Sequence, residues 1–118
     1  MVREVSALEG DEALVAYTSG RRERPVVALA VRYTLQVLAK QAPGRSVEVR
    51  VPPFGAVQCI AGPIHTRGTP ANVVETSPQV WLALVTGELT WDQVLGTHQV
   101  SISGQRADLS GLLPLKIS

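Results

Sequence analysis

Apolar residues recur at helical spacing in one early stretch of the chain, at Val27, Val31, Leu35, Leu38 and Ala42. Steps of three and four place them on one face of a 3.6-residue helix. Arg32, Gln36 and Lys40 fall on the opposite side, Pro25 suits a first helical turn, and Pro43-Gly44 stops the run. The pattern predicts an amphipathic helix of about four turns whose stripe must pack on another element. The period then changes to two. From Ser46 to Val51, Val47, Val49 and Val51 alternate with Glu48 and Arg50, which is the pattern of a half-buried strand. Pro52-Pro53 cannot extend a hydrogen-bonded ladder, and Phe54-Gly55 completes a reversal. Ala56 to Ala61 is therefore predicted to be the returning strand of a hairpin, apolar enough to be buried on both faces.

Further on, Gly62 to Ala71 reads as a loop, and Asn72 to Thr76 as a short third strand. Ser77 offers a helix cap, Pro78 the first helical position, Val80, Trp81, Leu84 and Val85 an apolar face, and Gly87 a stop. Thr90-Trp-Asp-Gln93 fits a capping box and opens a very short helix before Gly96. Val100 and Ile102 point inward from a last strand, and Asp108 is expected to cap a final helical turn through Leu113. The predicted order is α-β-β-β-α-α-β-α, with mostly local and antiparallel pairing, which is an α+β class. Residues 1–24 are expected to be a weakly structured leader with a helical patch around Asp11 to Tyr17, docking through Leu14, Val15 and Tyr17. Residues 25–118 form the predicted domain.

Composition sharpens this picture in a few places. At 118 residues, the chain is the size of a single domain with one core. It is 45% hydrophobic but only 4% aromatic, so the core is aliphatic. Eleven basic and ten acidic residues leave a formal charge of +1, which offers no concentrated basic surface for nucleic acid. The cluster Arg21, Arg22 and Arg24 is interrupted by Glu23 and reads as a solvated linker. No apolar run reaches the ~18 residues that span a bilayer, and the N-terminus lacks an apolar signal core. A soluble cytoplasmic protein without stable membrane insertion is the expectation.

Candidate chemistry is sparse. Cys59 stands alone, so no internal disulfide forms, and its place on an apolar strand favours an inert thiol. Ser110 lacks the glycine-flanked nucleophile elbow. His65 and His98 lack cysteine or carboxylate company at metal-site spacing. Pro43-Gly44-Arg45-Ser46 lacks the lysine and flanking glycines of a phosphate loop. Trp81, within an apolar helix, reads as core. No catalytic residue, metal or cofactor is expected. One loop stands apart: His65-Thr66-Arg67-Gly68-Thr69-Pro70 combines a guanidinium with two hydroxyls and a flexible glycine. His65, Arg67 and Thr69 are candidates to anchor the polar head of a ligand. The alternative is a structural loop in which Arg67 pairs with Glu48 or Glu75.

The stretch Val80-Trp-Leu-Ala-Leu-Val-Thr-Gly-Glu-Leu-Thr90, followed by Trp91-Asp-Gln-Val-Leu, Val100-Ser-Ile-Ser-Gly104 and Leu109-Ser-Gly-Leu-Leu113, resembles the sterol carrier protein family. The resemblance runs from about Ser46 to Leu115. More narrowly, Ala42 to Cys59 with His65 to Pro70 is similar to an actinobacterial, sterol-carrier-like branch of that family. The resemblance implies a sheet of about five mostly antiparallel strands, covered on one face by helices. It also implies an apolar cavity between them that binds fatty acyl chains, sterols or other apolar small molecules without catalysis. Carried onto this chain, the cavity-side candidates are Val80, Leu84, Val85, Val100, Ile102, Leu109, Leu112 and Leu113. The alternative is an interaction module with a side-chain-filled interior that forms a homodimer or docks an enzyme. The apolar tail Leu109, Leu112, Leu113, Leu115 and Ile117 suits either reading: it caps the cavity, fills it, or makes a dimer contact.

Overall fold

Two helices precede the sheet in the computed structural model, which describes residues 4–64, 67–68, 70–105 and 107–117. The first, α1, spans Ala7–Thr18, with the Ser6 hydroxyl accepting from the Glu9 N–H as its cap. It is longer than the helical patch expected around Asp11 to Tyr17, and it is docked. Gly10 lies flat on Tyr33, where an added Cβ would sit 2.1 Å from the ring. The Tyr33 hydroxyl donates to Asp11 Oδ1 at 3.0 Å. Ala13 and Tyr17 are buried, whereas Val15 remains 63% exposed. Glycine counts against a helix on propensity alone, so a helix made by close packing is easily underrated from sequence.

The second helix, α2, spans Arg24–Gln41 with Pro25 in its first turn. It is wrapped more fully than its amphipathic pattern suggests. Ala28, Ala30, Tyr33 and Thr34 are buried together with the expected Val27, Val31, Leu35 and Leu38. The reason is that α1 packs on α2 while the sheet and a later helix pack on it too.

Four strands form one sheet: β1 (Val47–Val51), β2 (Gly55–Cys59), β3 (Asn72–Thr76) and β4 (Val100–Ser103), in spatial order β2-β1-β3-β4. Among the described residues the count is four, where about five were expected. The outer pairs are antiparallel, but the central pair, β1 and β3, is parallel. After the β1–β2 hairpin the chain crosses back to the far side of β1, so β3 starts from the same end as β1. The register places Val47, Val49, Val51, Val74 and Ile102 on one face, and Glu48, Arg50, Glu75, Ser101 and Ser103 on the other. One apolar and one polar face means that helices cover a single side. β2 is not buried on both faces as expected. It is an edge strand, with Ala56 exposed and Gln58 half-buried.

Helix α3 (Pro78–Thr86) and the single turn α4 (Trp91–Val94) lie between β3 and β4, and both use their predicted caps. The Ser77 hydroxyl accepts from the Val80 N–H, and Gly87 ends α3 at φ +85°. Thr90 and Gln93 make both bonds of the capping box. α3 is tied to α2 inside the core, where Trp81 Nε1 donates to Thr34 Oγ1 at 2.8 Å. The final helical turn expected at Asp108 is instead a tight turn closed by Leu112 N–H to the Leu109 carbonyl. Asp108 Oδ1 accepts from the Ser110 N–H, and this local bond favours a turn over a helix. The tail then runs beside α3, with the Leu115 N–H donating to the Val85 carbonyl. No helix among the described residues is long and apolar enough to cross a membrane.

Candidate functional site

The charged stripe of α2 does not simply face water. Arg32, Gln36 and Lys40 follow one another at steps of four, and beside them lie Leu29, Leu35 and Ala39. Together they form one wall of a groove of about 810 Å³. The facing wall is the hairpin segment Phe54 to Val57, and Glu4 and Val5 supply a third side. That volume falls within the usual range of small-molecule sites.

Local chemistry explains how the walls meet. The hairpin lies against α2 at Gly55, where an added Cβ would make ordinary van der Waals contact with Leu35 Cδ1 at 3.4 Å. Arg32 Nε donates to the Phe54 carbonyl at 3.2 Å, joining helix to hairpin across 22 residues. The Arg24 guanidinium lies 5.0 Å from the centroid of the Phe54 ring, within cation–π range. At the other end of the stripe, Lys40 Nζ meets Glu4 Oε1 at 2.8 Å, and this contact holds the Glu4 carboxyl below the ordinary carboxylate range. Both side chains are about two-thirds exposed, so solvent screens the pair and it adds little stability. Arg32 and Lys40 sit about 12 Å apart along the helix axis. The groove is thus an apolar trench with a cation near each end, one of them already matched by Glu4.

The residues singled out from sequence lie elsewhere. Leu84, Val85, Val100 and Leu109 are buried in the core, and Val80, Ile102, Leu112 and Leu113 are half-buried against it. None of these eight lines the groove. Val80 instead borders a second, more polar depression of about 490 Å³, beside Glu75, Ser77, His98 and Ser101. Arg67 is exposed in the loop after β2, while His65 and Thr69 lie outside the described residues. It is Arg45 that braces this loop, donating to the Gly68 carbonyl and to Gln58.

Reactive groups are few. Cys59 is fully buried on the inner face, and burial pushes its thiol up to about 11, so it stays protonated at neutral pH. Among the described residues, no three His, Cys, Asp or Glu side chains are grouped to hold a metal ion. Sequence reasoning missed the groove because its walls come from three distant segments.

Comparison with protein families finds a match to the family described as "Bacterial SCP ortholog" over residues 23–115. The matched span contains α2, the hairpin, the whole sheet and the tail to Leu115, but neither α1 nor the Glu4–Val5 segment. No curated protein matches the chain.

Proposed function

The chain belongs to the bacterial sterol-carrier-protein family, and from that membership we propose that it is a non-catalytic carrier which holds an apolar small molecule in the groove between α2 and the β1–β2 hairpin. The observation that carries this reading is the groove itself: about 810 Å³, with Leu29, Leu35, Ala39, Phe54 and Val57 among its lining. Removing apolar ligand surface from water drives entry and contributes about 0.8 kcal/mol per buried methylene. Association costs roughly 4 kcal/mol or more in lost freedom. A short acid therefore gains nothing, whereas a long acyl chain or a fused-ring lipid binds. Arg32 is the group placed to meet a carboxylate or phosphate head, because a guanidinium has five donors and its bond to Phe54 uses one.

Titration with a fluorescent long-chain polyene fatty acid tests the reading. The wild-type protein is expected to bind it saturably. Ala39→Trp, which fills the trench from a half-buried helix position, is expected to weaken binding by about tenfold or more while the protein stays folded. Equal binding by Ala39→Trp would remove the groove as the site. No saturable binding by the wild type would remove the carrier reading.

A further inference from the structure

The groove has three sides, and only two of them belong to the family-matched span. The third is the pair Glu4–Val5, which precedes it. How this pair is held differs from ordinary chain packing. The Gln36 side-chain amide grips the Val5 backbone at both ends: Val5 N–H donates to Gln36 Oε1 at 3.0 Å, and Gln36 Nε2 donates to the Val5 carbonyl at 2.8 Å. One side chain thus imitates a rung of a β-ladder on the surface of a helix. Lys40 adds the exposed contact to Glu4 one turn further along. Val5 as a whole is only 4% exposed.

The residues after Val5 cannot shift easily. Ser6 caps α1, and α1 is fixed on α2 by the Gly10–Tyr33 contact and the Tyr33–Asp11 hydrogen bond. Glu4–Val5 is therefore joined to an anchored helix on one side, with the Gln36 amide as its latch on the groove side. We propose that this pair is a strap that sets how long a lipid stays in the groove and which chain lengths fit, with Val5 and Gln36 as its specificity-determining residues. The proposal rests on the groove being the ligand site. It assigns to a segment outside the family-matched residues a part in selecting the ligand.

The test measures release of the polyene fatty acid from the 118-residue chain into excess phosphatidylcholine vesicles by stopped-flow fluorescence, with long- and medium-chain probes. Two variants remove the latch: Gln36→Ala, and Gln36→Leu, which keeps the side-chain volume. Losing two hydrogen bonds at a half-buried site is expected to speed release by about tenfold in both and to narrow the preference between the probes. Hydrogen exchange at the Val5 amide should quicken in parallel, a change that does not depend on ligand. Unchanged release rates and unchanged chain-length preference in both folded variants would overturn the strap. Failure of the wild type to bind either probe would overturn the groove reading and the strap with it, and that outcome is seen before any variant is compared.

Discussion

Thr34→Val alters one atom in the interior and tests how α3 is held on α2. Thr34 and Trp81 are both fully buried, and Trp81 Nε1 donates to Thr34 Oγ1 at 2.8 Å. The hydroxyl itself donates back into α2, to the Ala30 carbonyl at 2.7 Å or the Val31 carbonyl at 3.0 Å. Valine keeps the shape but cannot accept, so the indole N–H is left unpaired among aliphatic side chains. A buried donor left without a partner costs about 1–3 kcal/mol. The Ala30 carbonyl keeps its helical bond, so little else is lost, and the net cost is about 2 kcal/mol. For a domain of this size, that lowers Tm by about 8 °C. Urea unfolding followed by far-UV circular dichroism gives the change in midpoint directly. Thr34→Ser keeps the acceptor and should lose only about 1 kcal/mol, for the missing methyl. Trp81→Phe removes the donor, so the double variant should fall short of the sum of the single losses by about 1 kcal/mol. A Thr34→Val midpoint equal to wild type, or strictly additive losses, would refute the bond as the tie between the two helices.

Three further outcomes are expected from the packing around α2 and the sheet. Gly10→Ala should lower stability by about 1–3 kcal/mol despite alanine's higher helix propensity, because its Cβ meets the Tyr33 ring at 2.1 Å; a stabilised variant in thermal melts would show that α1 does not dock as described. Cys59 should resist thiol-reactive dyes in the native state and react on unfolding. Its folded thiol lies near 11 against an ordinary 9.0, so the unfolded chain releases that proton first and stability should fall as pH rises from about 9 toward 11. Pseudo-first-order labelling at neutral pH, as fast as that of a free thiol, would contradict the burial.

What was legible in the sequence was local. Strict alternation from Val47 to Val51 marked both the strand and its inward face, and the capping residues Ser77, Thr90 and Gln93 placed α3 and α4 where they are found. The parallel pairing of β1 with β3 was not legible, because short strands carry no signal of which neighbour they choose after a long crossing loop. α1 was underrated for a related reason. Its stabilising contact is the absence of a side chain at Gly10 opposite Tyr33, 23 positions later, and propensity scores that absence as a cost. The groove was hidden in the same way. Arg32, Gln36 and Lys40 read correctly as the polar side of a helix, but the hairpin and strap that turn this side into a wall are invisible to periodicity. The converse holds for Val80, Leu84 and Leu109. An apolar position at the right spacing is known to be shielded, but the pattern is the same whether a ligand or a neighbouring side chain does the shielding.

The three walls of the groove differ in how firmly they are held, and this difference bears on what the groove can accept. α2 is gripped from one side by α1, through Tyr33 and Asp11, and from the other by α3, through Trp81 and Thr34. Its groove-facing residues Leu29, Leu35 and Ala39 therefore stand on a rigid support. Among the described residues β2 is an edge strand with β1 as its partner in the sheet, and the strap lines the groove through Glu4 and Val5. Local opening is easiest where burial is least. Phe54 to Val57 of the hairpin are half-buried or exposed, whereas Val5 of the strap is buried and doubly hydrogen-bonded, so under the proposed function adjustment to a ligand falls to the hairpin. Such an arrangement suits apolar ligands, whose attraction is non-directional and proportional to area rather than fixed to one geometry. Under the proposed function, the helix fixes the depth of the trench while the hairpin adjusts to chains of differing shape. Under the same reading Arg32 supplies a directional contact, its guanidinium steadied by the Phe54 carbonyl of the hairpin.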